Sequence, residues 1–123
     1  MQRRGEVEMK TFEDFINYQR DFDKKHFGKF DWGQKIDDEN IDILEFLLIS
    51  ILGELGETSN IVKKVLRGDA TLQEMRPSLN EEITDIFIYL LKLIYQLDID
   101  IAQEYLSKMQ KNEKRFSKFE IQE

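Results

Sequence analysis

The sequence predicts an all-α protein, a four-helix bundle or a close relative of one. Apolar residues recur three and four positions apart over long stretches, while the alternation typical of strands is weak throughout. The 123 residues contain only six glycines and one proline, which suits long helices. A chain of this length is large enough for one domain with its own core. We therefore expect a single domain over 1–123, with roughly ten N-terminal and roughly five C-terminal residues frayed.

An aromatic loop separates the first two helices. The first helix is predicted over residues 11–25, because its opening threonine and the aspartate three residues later have the spacing of a capping box. Residues 26–35 contain two glycines and three aromatic side chains, which indicates a loop. The second helix is predicted to begin at residues 38–40 and to end at Arg67, because Gly68 supplies a C-terminal stop.

The third and fourth helices follow a polar segment that we expect to be helical in part. The third helix is predicted over residues 77–97, because Ser78 and Glu81 have the spacing of a capping box after a proline. Residues 97–100 supply a short turn with acidic side chains. The fourth helix is predicted over residues 101–118.

The third helix is apolar on more than one side. Most of its apolar residues form one stripe at helical spacing, while Ile88, Leu93 and Tyr95 lie outside that stripe. A small bundle seldom leaves such a helix exposed. We therefore expect a second buried surface, most simply a subunit interface.

Composition and charge disfavour several kinds of partner and location. The formal net charge of −7 argues against a nucleic-acid polymer or an anionic membrane as the main partner. The first ten residues include basic side chains but no apolar run like that of a signal peptide. The longest apolar stretch, 86–97, is too short for a transmembrane helix. We expect a soluble cytoplasmic protein, and the absence of cysteine excludes thiolate metal sites.

Two pairs of acids stand on the two long helices. Glu54 lies seven residues from an apolar residue on either side, so it occupies a line that a helix should bury. Glu57 follows it by three residues, and Glu82 and Asp85 repeat that spacing on the third helix. Side chains three apart share a helical face, and Tyr89 extends the second pair by four. Packing of the two helices would bring four carboxylates towards one point.

Four converging carboxylates require a compensating charge, because removing each ion from water costs several kcal/mol. Hard oxygen donors without cysteine suit Mg²⁺, with Mn²⁺ as a substitute. The alternative is a set of solvated acids on amphipathic helices, in a chain with 25 Asp and Glu. A di-iron bundle would need Glu-x-x-His on two helices, and the single histidine, His26, lies outside both long helices. Because Glu54 lies on an apolar line and the acidic pair occurs on both long helices, a magnesium site is favoured over solvated acids and over a di-iron centre.

The fourth helix carries cationic and amide side chains at matched spacing. Lys108 and Asn112 are four apart, as are Lys111 and Arg115. Opposite a carboxylate–metal cluster these groups would bind phosphate oxygens. Taken alone, the pattern is better explained by a solvated basic helix end, which the helix dipole favours.

The order of these motifs resembles one family. Glu54-x-x-Glu57, 24 further residues, Glu82-x-x-Asp85 and then Lys111-Asn112-x-x-Arg115 are similar to the MazG-like all-α nucleoside triphosphate pyrophosphohydrolases. The resemblance covers roughly residues 40–116 and includes the "GELGE", "EEITDIFIYLL" and "KMQKNEKRF" segments. One departure is Gly53, where many members carry an additional acid.

The resemblance implies an activity and a set of site residues. Members of the family hydrolyse nucleotides between the α- and β-phosphates, releasing a monophosphate and pyrophosphate, and they assemble as homodimers or homotetramers. By resemblance the Mg²⁺ ligands are Glu54, Glu57, Glu82 and Asp85, and the nucleotide contacts are Lys111, Asn112 and Arg115. We add Lys108 and Tyr89 to the substrate contacts. We assign Glu54 as the base that accepts the proton of the attacking water, with Glu57 beside it in the catalytic set.

Trp32, in the loop before the second helix, has two interpretations of equal weight. Either its ring stacks on the nucleotide base, because aromatic stacking is worth about 1–3 kcal/mol, or the ring closes the end of the bundle core.

For the whole chain, two alternatives to a housecleaning (d)NTP pyrophosphohydrolase stay open. One is a phosphoribosyl-ATP pyrophosphohydrolase, which acts on a larger adduct. The other is a non-catalytic helical interaction protein whose acids are solvated.

Overall fold

The computed structural model describes residues 8–26, 28, 31 and 33–121. Within these residues the chain is helical and contains no strand, which confirms the predicted fold class. Four α-helices are followed by a short 3-10 turn at Ser117–Phe119: α1 (Phe12–Lys25), α2 (Ile41–Leu66), α3 (Leu72–Gln96) and α4 (Ile101–Arg115). Part of the predicted fraying, at 1–7 and 122–123, lies outside the described residues, as does Trp32.

α1 and α2 begin and end close to where the sequence predicts. The Thr11 hydroxyl accepts a hydrogen bond from the Asp14 backbone N–H at 3.2 Å, and the Asp14 carboxylate accepts from the Thr11 N–H at 3.0 Å. This is the predicted capping box, and backbone hydrogen bonds from Thr11 and Lys10 hold the pKa of Asp14 below its ordinary value. Gly68 follows α2 with a φ of +81°, a left-handed conformation that glycine adopts without a Cβ clash.

The predicted start of α3 at residues 77–78 is wrong. The helix begins at Leu72, where the Thr71 hydroxyl accepts a hydrogen bond from the Glu74 backbone N–H at 3.2 Å. Pro77 therefore lies inside the helix, where it removes one backbone hydrogen bond. The carbonyl that loses this donor belongs to Gln73, four residues earlier, which is exposed, so water can satisfy it. The polar segment before the proline is accordingly helical in part, as expected.

α3 is the central helix, because it packs against both α1 and α2. The fully buried apolar side chains are few in the described part of the chain: Ile43 and Leu47 on α2, and Leu91 and Tyr95 on α3. α4 packs chiefly against the 3-10 turn that follows it and makes no comparably extensive contact with the other helices. It also ends at Arg115, earlier than predicted, with Phe116 as its C-terminal cap. The described chain is thus a three-helix unit with α4 beyond it.

The outer side of α2 carries large apolar side chains that one chain leaves exposed. Phe46 is 47% exposed, Ile49 56% and Leu52 66%. A patch of this kind on a small helical unit is typical of a surface that another molecule covers. None of the described helices combines the length and the hydropathy that a membrane crossing requires.

Candidate functional site

Packing of α2 on α3 brings three of the predicted acids together. Glu54, Glu82 and Asp85 each contribute one carboxylate oxygen to a cluster in which all three atoms lie within 4.8 Å of one another. Leu47, which is 1% exposed, fixes the face of α2 that meets the core. Glu54 follows it by seven residues, about two helical turns, and so shares that face. The residue that looked out of place on an apolar line is therefore half-buried beside the acids of α3.

Glu57, the fourth predicted acid, is exposed but interacts with the cluster. The pKa of Glu82 is raised to about 7, chiefly by the neighbouring Glu54 carboxyl, then by burial, and then by Glu57. A carboxylate among other carboxylates holds a proton that it would release in water, because a second negative charge at short range is unfavourable. Near neutral pH, one proton therefore partly compensates the cluster.

The donor set fits a hard divalent cation. Within the described residues, the Oε2 atoms of Glu54 and Glu82 are buried and have no hydrogen-bond partner. Unsatisfied carboxylate oxygens are expensive to bury, and a cation would pair with them. All the available ligand atoms are carboxylate oxygens, which suits Mg²⁺ or Mn²⁺ better than softer metals. The unpartnered oxygens and the donor set together support the metal prediction.

A pocket of about 490 Å³ opens beside the cluster. Its volume lies within the range of about 300–1,000 Å³ that is usual for small-molecule sites. Glu54 and Asp85 line it together with Tyr89, so the structure brings the predicted tyrosine to the acids. At the end of α1, the rings of Phe22 and His26 stack at 4.1 Å and form an aromatic part of its wall.

A charged network that the sequence did not predict forms part of the lining of this pocket. Asp23 on α1 is 2% exposed, and its Oδ1 accepts hydrogen bonds from Lys92 Nζ at 2.8 Å and from Gln19 Nε2 at 3.0 Å. The Tyr95 hydroxyl donates to the other carboxylate oxygen. Burial and then this hydrogen bond raise the pKa of Tyr95 above its ordinary value. The signal in the sequence is the seven-residue step from Ile16 to Asp23, which places an acid on the apolar face of α1.

The predicted substrate contacts on α4 do not reach this pocket in one chain. Its lining includes neither Lys108 nor Lys111, and neither Asn112 nor Arg115. Arg115 instead lies over the ring of Phe116, with its guanidinium carbon 5.0 Å from the ring centre. Their roles, like the general-base role of Glu54, stay predictions. Trp32 lies outside the described residues.

The chain has detectable relatives among known proteins. It is 36% identical over 84 residues to the "Gene 37 protein" of Mycobacterium phage L5, and the match covers 64% of this chain and 74% of the phage protein. The chain belongs to the same family as that phage protein. No protein-family model matches the sequence, and no solved structure matches it.

A more distant likeness is to mammalian enzymes. The chain is 32% identical over 74 residues to "dCTP pyrophosphatase 1" of Homo sapiens and 30% identical to the Rattus norvegicus protein of the same name. Each match covers 57% of this chain and 44% of the mammalian protein. The chain therefore spans less than half the length of these relatives.

Proposed function

We propose that this protein is a Mg²⁺-dependent nucleoside triphosphate pyrophosphohydrolase of the MazG-like type, which converts (d)NTPs to monophosphates and pyrophosphate in nucleotide-pool housecleaning. The observation that carries the proposal is the cluster of three carboxylate oxygens within 4.8 Å, completed electrostatically by Glu57. The relatives named dCTP pyrophosphatase support a nucleotide substrate. The adjoining pocket supplies space and an aromatic wall for the nucleoside.

The chemistry follows from the arrangement of the acids. A bound divalent cation would neutralise the polyphosphate and lower the pKa of an attacking water. Glu54, Glu57, Glu82 and Asp85 would hold that cation, with Mn²⁺ as a possible replacement for Mg²⁺. Glu54 accepts the proton of the water, because its carboxylate faces both the cluster and the pocket. Tyr89 and the rings on α1 orient the nucleotide for attack between its α- and β-phosphates.

The proposal includes a homodimer or homotetramer in which α4 of a second copy supplies the cations. Two features support it: α4 lies apart from the acid cluster of its own chain, and α2 leaves apolar residues such as Leu52 exposed. Light scattering coupled to gel filtration should give twice or four times the mass of 14.8 kDa. An active monomer would contradict this part of the proposal.

The central experiment is product analysis on a panel of (d)NTPs, modified NTPs and phosphoribosyl-ATP with Mg²⁺. We expect monophosphate and pyrophosphate, and we expect Glu57→Gln and Asp85→Asn to lower the turnover rate at least about a hundredfold. Glu81→Gln is the matched control, because Glu81 is exposed and lies outside the cluster. Release of orthophosphate as the direct product, or equal activity of all the variants, would refute the proposed function.

A further inference from the structure

A lysine lies on the same face of α3 as the metal-binding acids, at a distance that suits a nucleoside better than a phosphate. Glu82, Asp85, Tyr89 and Lys92 follow one another at spacings of three, four and three residues. Lys92 is therefore two turns beyond Asp85, about 10 Å along the helix axis. Direct metal ligands lie within about 2.6 Å of the ion, so Lys92 belongs to a different part of the pocket that it lines.

Asp23 holds this lysine in place. Their side chains are only 12% and 2% exposed, and their charged atoms are 2.8 Å apart. Gln19 and Tyr95 donate to the same carboxylate and so fix its orientation. A buried ion pair is often no more stable than an apolar pair of similar volume. A contribution to stability therefore does not explain why Asp23 and Lys92 are paired here. Its position at the pocket wall suggests a different role.

A nucleotide bound by its phosphates at the acids would extend its base along the pocket. The stacked rings of Phe22 and His26 line the pocket there, and an outer face of this stack would accept any base. Discrimination between bases requires a hydrogen-bonding group at the base edge. An ammonium carries only donors, so Lys92 would pair with an acceptor at the base edge, and a carbonyl oxygen is the acceptor that guanine, cytosine and thymine present and adenine lacks.

We propose that Lys92 is a specificity-determining residue that donates a hydrogen bond to a base carbonyl of the bound nucleotide, and that Asp23 is the positioning residue that orients it. This inference rests on the proposed function, because the phosphates must lie at the acid cluster. It assigns discrimination between bases to a pair of residues outside the acidic motifs.

The first test measures kcat/KM for each natural dNTP with Mg²⁺. In Lys92→Met, which keeps the length of the side chain, the ratio between the best and the worst substrate should fall about tenfold or more. The control Lys64→Met removes an exposed charge from α2 and should leave the ratio unchanged. A uniform loss for all four nucleotides would indicate a structural role and overturn the inference. Because Lys92→Met leaves Asp23 buried without its cation, the double variant Asp23→Asn/Lys92→Met provides the same test without an unpaired buried charge at this position.

The role of Asp23 is tested by Asp23→Asn, which keeps the shape of the side chain. KM for the preferred nucleotide should rise while kcat changes less than about twofold, because only the orientation of the base contact is lost. An equal fall of kcat for every nucleotide would contradict a positioning role.

Calorimetry separates this inference from the proposed function. With Mg²⁺, Lys92→Met should bind inorganic pyrophosphate as the wild type does and should lose the ability to distinguish the four dNMPs. A parallel loss of pyrophosphate binding would place Lys92 on the phosphates and overturn the inference. Wild-type protein that hydrolyses no nucleotide but distinguishes dNMPs through Lys92 would refute the hydrolase and support the base contact. Absence of both hydrolysis and dNMP binding would overturn both.

Discussion

The clearest quantitative prediction concerns competition between protons and Mg²⁺ at Glu82. The pKa of this carboxyl is raised to about 7 by Glu54, by burial and by Glu57, so metal binding must displace a proton. Such a group is about 90% protonated at about pH 6 and about 10% protonated at about pH 8. The apparent Mg²⁺ affinity should therefore rise about tenfold between these two values.

Isothermal titration calorimetry in buffers of different ionisation enthalpy measures both quantities. At about pH 7, binding of Mg²⁺ should release roughly half a proton from Glu82. Glu82→Gln should bind more weakly and should lose the steep dependence on pH, because the titrating group is gone. Equal affinities at the two pH values, or no proton release from the wild type, would refute the placement of Mg²⁺ on this cluster.

Three further predictions concern stability. The metal-free fold holds a proton on Glu82 up to about pH 7, whereas the unfolded chain releases that proton near pH 4.5. The stability that this proton contributes should therefore be fully present below about pH 4.5 and be lost as the pH rises through about 7. Thermal unfolding with EDTA checks it, and an unfolding temperature that rises over this window would contradict it. Thr71→Ala should lower the free energy of unfolding by about 1 kcal/mol in urea, whereas Ser78→Ala should change it by less than about 0.5 kcal/mol; the reverse order would restore the helix start predicted from the sequence. Leu47→Ala should cost about 3 kcal/mol, because a side chain that is 1% exposed would leave a cavity between α2 and α3, and a loss below about 1 kcal/mol would contradict that packing.

Most of the helix boundaries follow from local chemistry, and the exception shows the limit of that approach. Thr71–Glu74 and Ser78–Glu81 have the same capping spacing, and Pro77 made the second appear to be the start. The helix uses the earlier cap and includes Pro77, at the loss of the one backbone hydrogen bond that a proline cannot donate. Two equivalent local signals cannot be ranked without the rest of the helix.

In the candidate site too, sequence spacing predicts the acidic motifs, whereas helix packing determines the Asp23–Lys92 pair. Glu54 was noticeable because an acid on an apolar line was accompanied by a second acidic pair, Glu82 and Asp85, on another long helix. Asp23 is an acid on an apolar line too, but its cation, Lys92, lies 69 residues away on α3. Nothing in the spacing of either helix links the two, because the pairing depends on how α1 rotates against α3. An acid on an apolar helical line therefore predicts a compensating positive charge, and packing decides whether that charge is a metal ion or a lysine.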